Sequence, residues 1–425
     1  MNALASPVNE PREFHLGVFG ATGFVGKLIA SYLCQNYLNQ ETLKVVFAAR
    51  NPQRLQELKN ELCTRHGLKP SVLNTAVADV DDYASLVELA KRCRVLITTV
   101  GPYMLYGEPV ARACVEARTH YCDLTAEMPF VALLHSRHGQ AAKERGVKLV
   151  SFCGFDSVPS DMCVFMIQKK AKELVKMAVR SMRGGVSGAT VASGLNLMGH
   201  RSMGDPFYLS LNAIDTPPLN AKGFPLQPRV CALHRDPDFG YSTFFVMSRV
   251  NENVVRWSNA LQDYAYGRDF VYYEMLACYF NFFTAILTMF ATYAALLAVG
   301  CPLTRYLGRY LGLVPDPGEG PTMQTMNSGY FSVEAVGRVE GITLRATVGS
   351  KHGDPGYKET AKMVVECALA LALELPSCSR LTGTVSPAAG IGEPLIKRLR
   401  DSGMQCEVTV DNDGAETIRS ATKKL

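Results

Sequence analysis

Along the first 155 residues, short apolar runs alternate with stretches of helical spacing. "FHLGVFG", "LKVVFAAR", "VLNTAVADV", "RVLITTV", "HYCDL" and "VKLVSFC" are rich in β-branched and aromatic residues, as strands are. Between them lie "ATGFVGKLIASYLCQNYL", "PQRLQELKNELCTRH", "DYASLVELAKRC", "EPVARACVEA" and "FVALLHSRHGQAAKERG". In the first of these Phe24, Leu28, Tyr32 and Leu33 fall on one side of a helix. Strict alternation of strand and helix predicts a parallel sheet with right-handed crossovers, covered on both faces. The fold class is α/β, with a doubly wound, Rossmann-type domain over residues 12–155.

From residue 156 the alternation stops. A helix is expected over "PSDMCVFMIQKKAKELVKMA", followed by strand-like pieces at "YSTFFVMSRV", "GYFSVEAVGRV" and "ITLRATVGS". An amphipathic helix follows at "GYKETAKMVVECALALALEL". Residues 156–380 read as a second, α+β domain for substrate or dimerisation, and residues 381–425 as a helical and strand segment packing back on the core. Within the second domain, residues 275–304 carry no charge until Arg305 and are expected as one long apolar helix. About 20 apolar residues suffice to cross a bilayer, so length leaves open a buried helix, a membrane or lipid-droplet surface, and an acyl-chain tunnel. A spanning helix would place the halves of one domain on opposite sides of a bilayer, so surface attachment or a tunnel is preferred.

Composition narrows the function. Hydrophobic residues make up 48% and charged residues 20% of 425, which suits a folded chain of more than one domain. The net charge of +5 is spread among acids without an aromatic-lined basic stripe, against a nucleic-acid partner. Thirteen cysteines without a Cys-x-x-Cys pair argue against a disulfide framework or structural zinc, and the eight dispersed histidines offer no metal site. The start "MNALASPVNEPREF" has no secretory or transit pattern, so a cytoplasmic location is expected. The final "TKKL" is a poor peroxisomal address, because Lys423 stands where a small residue is needed.

The chemistry concentrates at the carboxyl ends of the first strands. Gly20, Ala21, Thr22, Gly23, Phe24, Val25 and Gly26 form a glycine turn between the first strand and the first helix. Gly20 permits a tight exit, Gly23 a close approach to a diphosphate, and Gly26 close packing of helix on sheet. At the end of the second strand there is no acid for a ribose 2′-hydroxyl; Arg50 stands there instead, with Arg54 one turn on. A guanidinium suits a 2′-phosphate, so the expected cofactor is NADP. Asp79 either reaches the adenine edge or caps a turn. Val100, Gly101, Pro102 and Tyr103 make a stiff platform for a nicotinamide.

Hydride transfer needs a proton donor beside the acceptor. Tyr103, Asp123 and Glu127 are the candidates, each with a competing structural reading: a turn bonded to the Asp123 carboxyl, for instance, or Tyr103 covering the core. The loop at residues 351–356 either closes over the site, bringing in His352 or Tyr357, or is a plain turn before a helix.

Six collinear motifs carry a resemblance over nearly the whole chain: "VFGATGFVGKLIA", "TTVGPYMLYGEPVARAC", "YCDLTAEMPF", "GFDSVPSD", "GDPGYKETAKMVVECALAL" and "VSPAAGIGEPLIKRL". The chain resembles the saccharopine dehydrogenase-like oxidoreductase family, to which trans-acting enoyl reductases of lipid synthesis are similar. That resemblance implies NADP held by Gly20, Gly23, Gly26 and Arg50, with Gly101, Pro102 and Tyr103 near the nicotinamide. It does not imply saccharopine as substrate. The chain departs from the family pattern at Val25, where Thr is usual, and at Ala126, where Gly is usual and takes left-handed backbone more cheaply.

The expected function is NADPH-dependent reduction of a C=C, C=O or C=N bond in a hydrophobic, lipid-related substrate. The alternatives are a saccharopine-type lysine-pathway reductase and a non-catalytic NADP-binding lipid-surface or scaffold protein. The substrate would be a small molecule or lipid, and a homodimer is compatible with the second domain.

Overall fold

The computed structural model describes residues 11–412 except 39–42, 169–173, 211–232, 269, 279–280, 311–318, 340–341 and scattered positions between 186 and 210. Six expected strands form where the apolar runs place them: β1 (Phe14–Phe19), β2 (Val45–Ala49), β3 (Asn74–Val77), β4 (Cys93–Thr98), β5 (His120–Asp123) and β6 (Lys148–Val150). β2 is buried at every position, as befits a strand covered on both faces. The order is β3-β2-β1-β4-β5-β6, every pair parallel. The chain changes direction across the sheet between β1 and β4, which opens a crevice beyond their carboxyl ends.

A seventh strand extends this sheet. β13 (Gly383–Val385) pairs parallel with β6, so the first sheet is completed from beyond the expected boundary at residue 380. The helix Thr360–Leu373 also crosses that division, because it packs on β1, β4 and β5 and on the helix Phe24–Asn36. Its whole circumference is covered, and Met363, Val364, Leu369 and Leu371 join one core with residues of both sheets. Glu366 in this helix accepts hydrogen bonds from Tyr32 (2.7 Å) and Tyr37 (2.5 Å) and lies 3.4 Å from Arg398. Burial raises its carboxyl above the ordinary range.

The second sheet is mixed, in the order β14-β12-β11-β7-β10-β9-β8. Its strands are β7 (Leu174–Arg183), β8 (His234–Asp236), β9 (Gly240–Thr243), β10 (Val271–Ala277), β11 (Tyr330–Val339), β12 (Ile342–Ser350) and β14 (Gln405–Asn412). Only β7 and β10 run parallel among these pairs. The long helix expected from Pro159 onward is corrected here. It ends at Gln168, and "LVKMA" lies in β7. Val175, Met177 and Val179 alternate into the core, and Lys176 turns to the opposite face, where it pairs with Asp236 at 2.7 Å. Pairing with β10 and β11 on both sides overrides the helical propensity of a Lys- and Glu-rich run.

The single long apolar helix expected over residues 275–304 is not found. Met275–Ala277 end β10, a helix runs Phe282–Gly300, and a second runs Pro302–Tyr310. Asn281 starts the first through a reciprocal capping box with Thr284, and Pro302, lacking an N–H, begins the second. The two meet at 95°, and no single helix among the described residues is long and apolar enough to cross a membrane. Ala285 is buried, whereas Phe283, Leu287, Phe290, Leu297, Leu303 and Tyr306 are each more than 60% exposed. The tail tripeptide lies outside the described residues.

Two buried carboxyls tie the layers together and make stability depend on pH. Asp161 accepts from Ser258 (2.5 Å) and from Ala388 N (2.8 Å), and Glu274 accepts from Tyr272 (2.5 Å) and Asn251 (2.9 Å). Burial pushes them up to about 7 and about 8 from ordinary values of 3.8 and 4.5. The folded chain therefore binds more protons than the unfolded one between those values. Their contribution is complete below about pH 4 and is lost as pH rises through about 7 to 8. The thermal midpoint is expected to fall between about pH 5.5 and pH 8.5, and Asp161→Asn to flatten that fall, in scanning calorimetry across pH.

Candidate functional site

The crevice between β1 and β4 is built around a backbone that leaves no room for side chains. Gly20 follows β1 with φ +87°, and a Cβ there would lie 2.6 Å from Thr99 Oγ1. Its N–H donates to Ala48 O (2.9 Å), and its carbonyl accepts from Gly23 N (2.9 Å) and Thr99 Oγ1 (3.1 Å). A Cβ on Gly26 would sit 2.1 Å from that same carbonyl oxygen, so the helix Phe24–Asn36 approaches the turn only because residue 26 has none.

The start of this helix is bare. Gly23 occupies the cap position with no side-chain acceptor, and the first turn contains no acid. Its leading N–H groups, with the positive end of the helix dipole, therefore await an anion. A dinucleotide diphosphate fits this donor set. On β2's carboxyl end Arg50 is exposed, and the next helix begins with Asn51 accepting from Arg54 N (2.9 Å) and Pro52 in the first turn. Asp79 serves its own turn, since its carboxylate accepts from Asp81 N (3.2 Å).

Beyond β4, Val100 N donates to Thr98 Oγ1 (3.3 Å) and the Gly101–Pro102 peptide is cis. Pro102 is the cap of the helix Tyr103–Ala117 and offers no side-chain bond. Glu127, fully buried, supplies it from across the loop: Oε1 accepts from Tyr103 N (3.1 Å) and Oε2 from Met104 N (2.9 Å). A cap that uses both carboxyl oxygens holds the platform at a fixed height over the sheet.

Each of the three expected proton donors is engaged by partners within the fold. Tyr103 is buried and its hydroxyl donates to Thr98 O (3.1 Å). Burial and the neighbouring Asp123 push this phenol well above its usual range. Asp123 is wholly buried and accepts from Thr125 N (3.1 Å), Ser151 Oγ (2.9 Å) and Phe152 N (3.3 Å). Burial, then the Cys153 thiol, raises it to about 7. Glu127 is engaged as the cap just described. All three lie beneath the crevice and hold its floor.

The second sheet's connections roof the crevice, and these were not legible as site residues. Ser193 Oγ donates to Glu127 Oε1 (2.8 Å), and Thr190 Oγ1 lies 2.9 Å from the hydroxyl of Tyr357. The ring of Tyr357 meets that of Phe24 edge-on, with centroids 5.3 Å apart. Gly320 sits under the same Phe24 ring, where a Cβ would come within 2.4 Å. Of the two residues expected from the loop at 351–356, Tyr357 reaches the crevice. His352 instead lines an outer cavity of about 640 Å³ with Leu28, His66, Met326, Lys358 and Lys362. That cavity contains neither the glycine turn nor the Gly101–Pro102 platform. Among the described residues no cluster of three His, Cys, Asp or Glu could hold a metal.

Residues 16–150 match the family model described as the saccharopine dehydrogenase NADP binding domain. A Mycobacterium tuberculosis protein, named provisionally as a trans-acting enoyl reductase, is 33% identical over 430 residues. That match covers 94% of this chain and 98% of the relative. The trans-acting enoyl reductase of Mycobacterium ulcerans is 32% identical, with 94% and 98% covered. Among solved structures, the apo saccharopine dehydrogenase (L-Glu forming) of Saccharomyces cerevisiae aligns over 93% of this chain and 99% of its own, at 13% identity and a TM-score of 0.49.

Gly26→Ala tests the crevice. The collision with the Gly20 carbonyl is expected to cost about 1–3 kcal/mol of stability, read as a lower thermal midpoint. Because the turn must open to relieve it, NADPH quenching of protein fluorescence should also weaken by more than tenfold, whereas Gly67→Ala, in open space at a helix end, should leave quenching unchanged.

Proposed function

This chain belongs to the saccharopine dehydrogenase-like oxidoreductases, with the trans-acting enoyl reductases as relatives, and is an NADP-dependent oxidoreductase; on that premise we propose that it reduces the C=C bond of an enoyl, lipid-related substrate. The observation that carries the reading is the bare helix start at the β1/β4 crevice, with Arg50 in place of an acid on β2. Gly20 to Gly26 would hold the diphosphate of NADPH, and Arg50 the 2′-phosphate by charge-assisted hydrogen bonds. Val100, Gly101 and Pro102 would carry the nicotinamide, kept at a fixed height by the Glu127 cap. When bound, the cofactor supplies a hydride. Ser187, Thr190, Ser193 and Tyr357 would cover the reacting centre from the side of the second sheet.

The same reading places the protein at a lipid surface. The helices Phe282–Gly300 and Pro302–Tyr310 expose Phe283 (78%), Leu287 (70%), Leu297 (73%) and Tyr306 (73%). Exposed apolar patches of this extent on paired helices suit insertion to the depth of the headgroups. An enoyl lipid would then enter from the surface on which the helices lie.

Three measurements test this. Arg50→Ala should weaken NADPH at least tenfold and NADH less than threefold; equal losses would remove the 2′-phosphate contact. NADPH added with the purified protein to a lipid extract should convert one unsaturated species to a product two hydrogens heavier, seen by mass spectrometry. In flotation with phosphatidylcholine–phosphatidylserine vesicles the parent should rise, and a variant carrying Phe283→Glu, Leu287→Glu and Leu297→Glu should stay down with its NADPH affinity intact. A parent that stays down rejects the lipid surface alone.

A further inference from the structure

Tyr357 is built into the crevice more firmly than roofing alone requires. It lies in the π-turn Pro355–Glu359, whose N–H groups are capped by Asp354: Oδ2 accepts from Tyr357 N (3.1 Å) and Oδ1 from Lys358 N (3.0 Å). Such wide turns re-aim side chains relative to the helix that follows and recur at functional sites. Gly329 makes room for the cap, since a Cβ there would stand 2.4 Å from Asp354 Cα. The result is a phenol set against Phe24, the first residue of the helix whose amides receive the diphosphate.

Its hydrogen bonds differ in kind from those of Tyr32, Tyr37, Tyr83, Tyr103 and Tyr272, although buried Tyr266 likewise accepts one bond, from Gln262 Nε2 (3.0 Å). Tyr103 donates to a carbonyl, and Tyr32, Tyr37, Tyr83 and Tyr272 donate to carboxylates. Each of those partners pins the phenolic proton and opposes its loss. Tyr357 Oη instead accepts from the N–H of Ser187 and shares a 2.9 Å bond with the Thr190 hydroxyl. Two groups able to donate converge on one oxygen, the arrangement that stabilises a phenolate once its proton has gone. Burial pushes this phenol above its usual range, and the Ser187 and Thr190 bonds offset part of that rise. Thr190 itself is exposed, which gives solvent protons a path to the same oxygen.

We propose that Tyr357 is the proton donor of the reduction, a role that rests on the NADPH-dependent reading above. The hydride adds to one carbon of the double bond, and the other carbon takes the proton from Tyr357 Oη. The O–H bond breaks and its electron pair stays on oxygen as a phenolate, held by Ser187 N–H and the Thr190 hydroxyl. A proton from water, arriving past Thr190, restores the phenol. NADPH is the only reductant needed.

The test uses the full chain. Tyr357→Phe keeps the ring contact with Phe24 and removes the proton; it should bind NADPH within about threefold of the parent and reduce the lipid-extract substrate about 10²–10⁴-fold more slowly. Thr190→Val, which removes one donor from the phenolate, should slow reduction about tenfold with KM unchanged. A readout independent of turnover is the ¹⁹F resonance of 3-fluorotyrosine placed at position 357. It should differ between the NADP⁺ and NADPH complexes, because a proton donor must face the nicotinamide, whose charge changes. An unchanged resonance with both cofactors bound would overturn the role of Tyr357 and leave the oxidoreductase reading standing. So would parental turnover in Tyr357→Phe, or a large loss of NADPH affinity with kcat intact. A chain that binds neither cofactor would refute both.

Discussion

The contact between the Gly20 carbonyl and the Cα of residue 26 sets the geometry of the whole catalytic half. That oxygen accepts from Gly23 N and Thr99 Oγ1, so it cannot swing away to admit a side chain at 26. Because the helix Phe24–Asn36 comes this close to β1, its far end reaches the central helix Thr360–Leu373, where Tyr32 and Tyr37 close on Glu366. Its near end brings Phe24 under Tyr357 and over Gly320. A looser turn would lose the diphosphate cradle and both attachments together. The glycine pattern is thus as much a docking constraint between the two sheets as a nucleotide fingerprint.

Glu127 shows how the platform and the roof are made one unit. A carboxyl buried without donors would be costly, and here it takes two main-chain N–H bonds from the platform helix and a hydroxyl bond from Ser193 of the roof. Any movement of the roof away from the crevice uncovers this acid. The roof is therefore held in place by the same group that fixes the platform, and closing over a bound cofactor needs little further ordering.

Much of this was legible in the residue pattern. β1 to β6, the glycine turn and Arg50 follow from local signals: apolar runs of strand length, a three-residue glycine spacing, and the missing acid at the end of "VFAAR". What the pattern leaves unread has a common cause, which is that partners distant in sequence decide what a residue touches. "LVKMA" has helical composition and becomes a strand because β10 and β11 flank it. Tyr103, Asp123 and Glu127 stand at the strand ends by position, and their partners, main-chain groups together with Ser151 and Ser193, are brought near only by the folded loops. Ser187, Thr190 and Ser193 sit in turn-rich sequence with no periodicity to mark them. The break in the apolar run did have a signal, Asn281 before it and Pro302 within it, which the absence of charge obscured.

The placement of β13 bears on how the polypeptide comes to be folded at all. Six parallel strands are complete by residue 150, yet the edge of β6 stays unpaired, and one face lacks the Thr360–Leu373 helix, until more than 200 further residues have been synthesised. An emerging chain therefore carries an open sheet with an uncovered oily flank through most of its translation, the state in which edge-to-edge association is easiest. A fragment cut near residue 155 would leave both the β6 edge and the face that Thr360–Leu373 covers open to solvent.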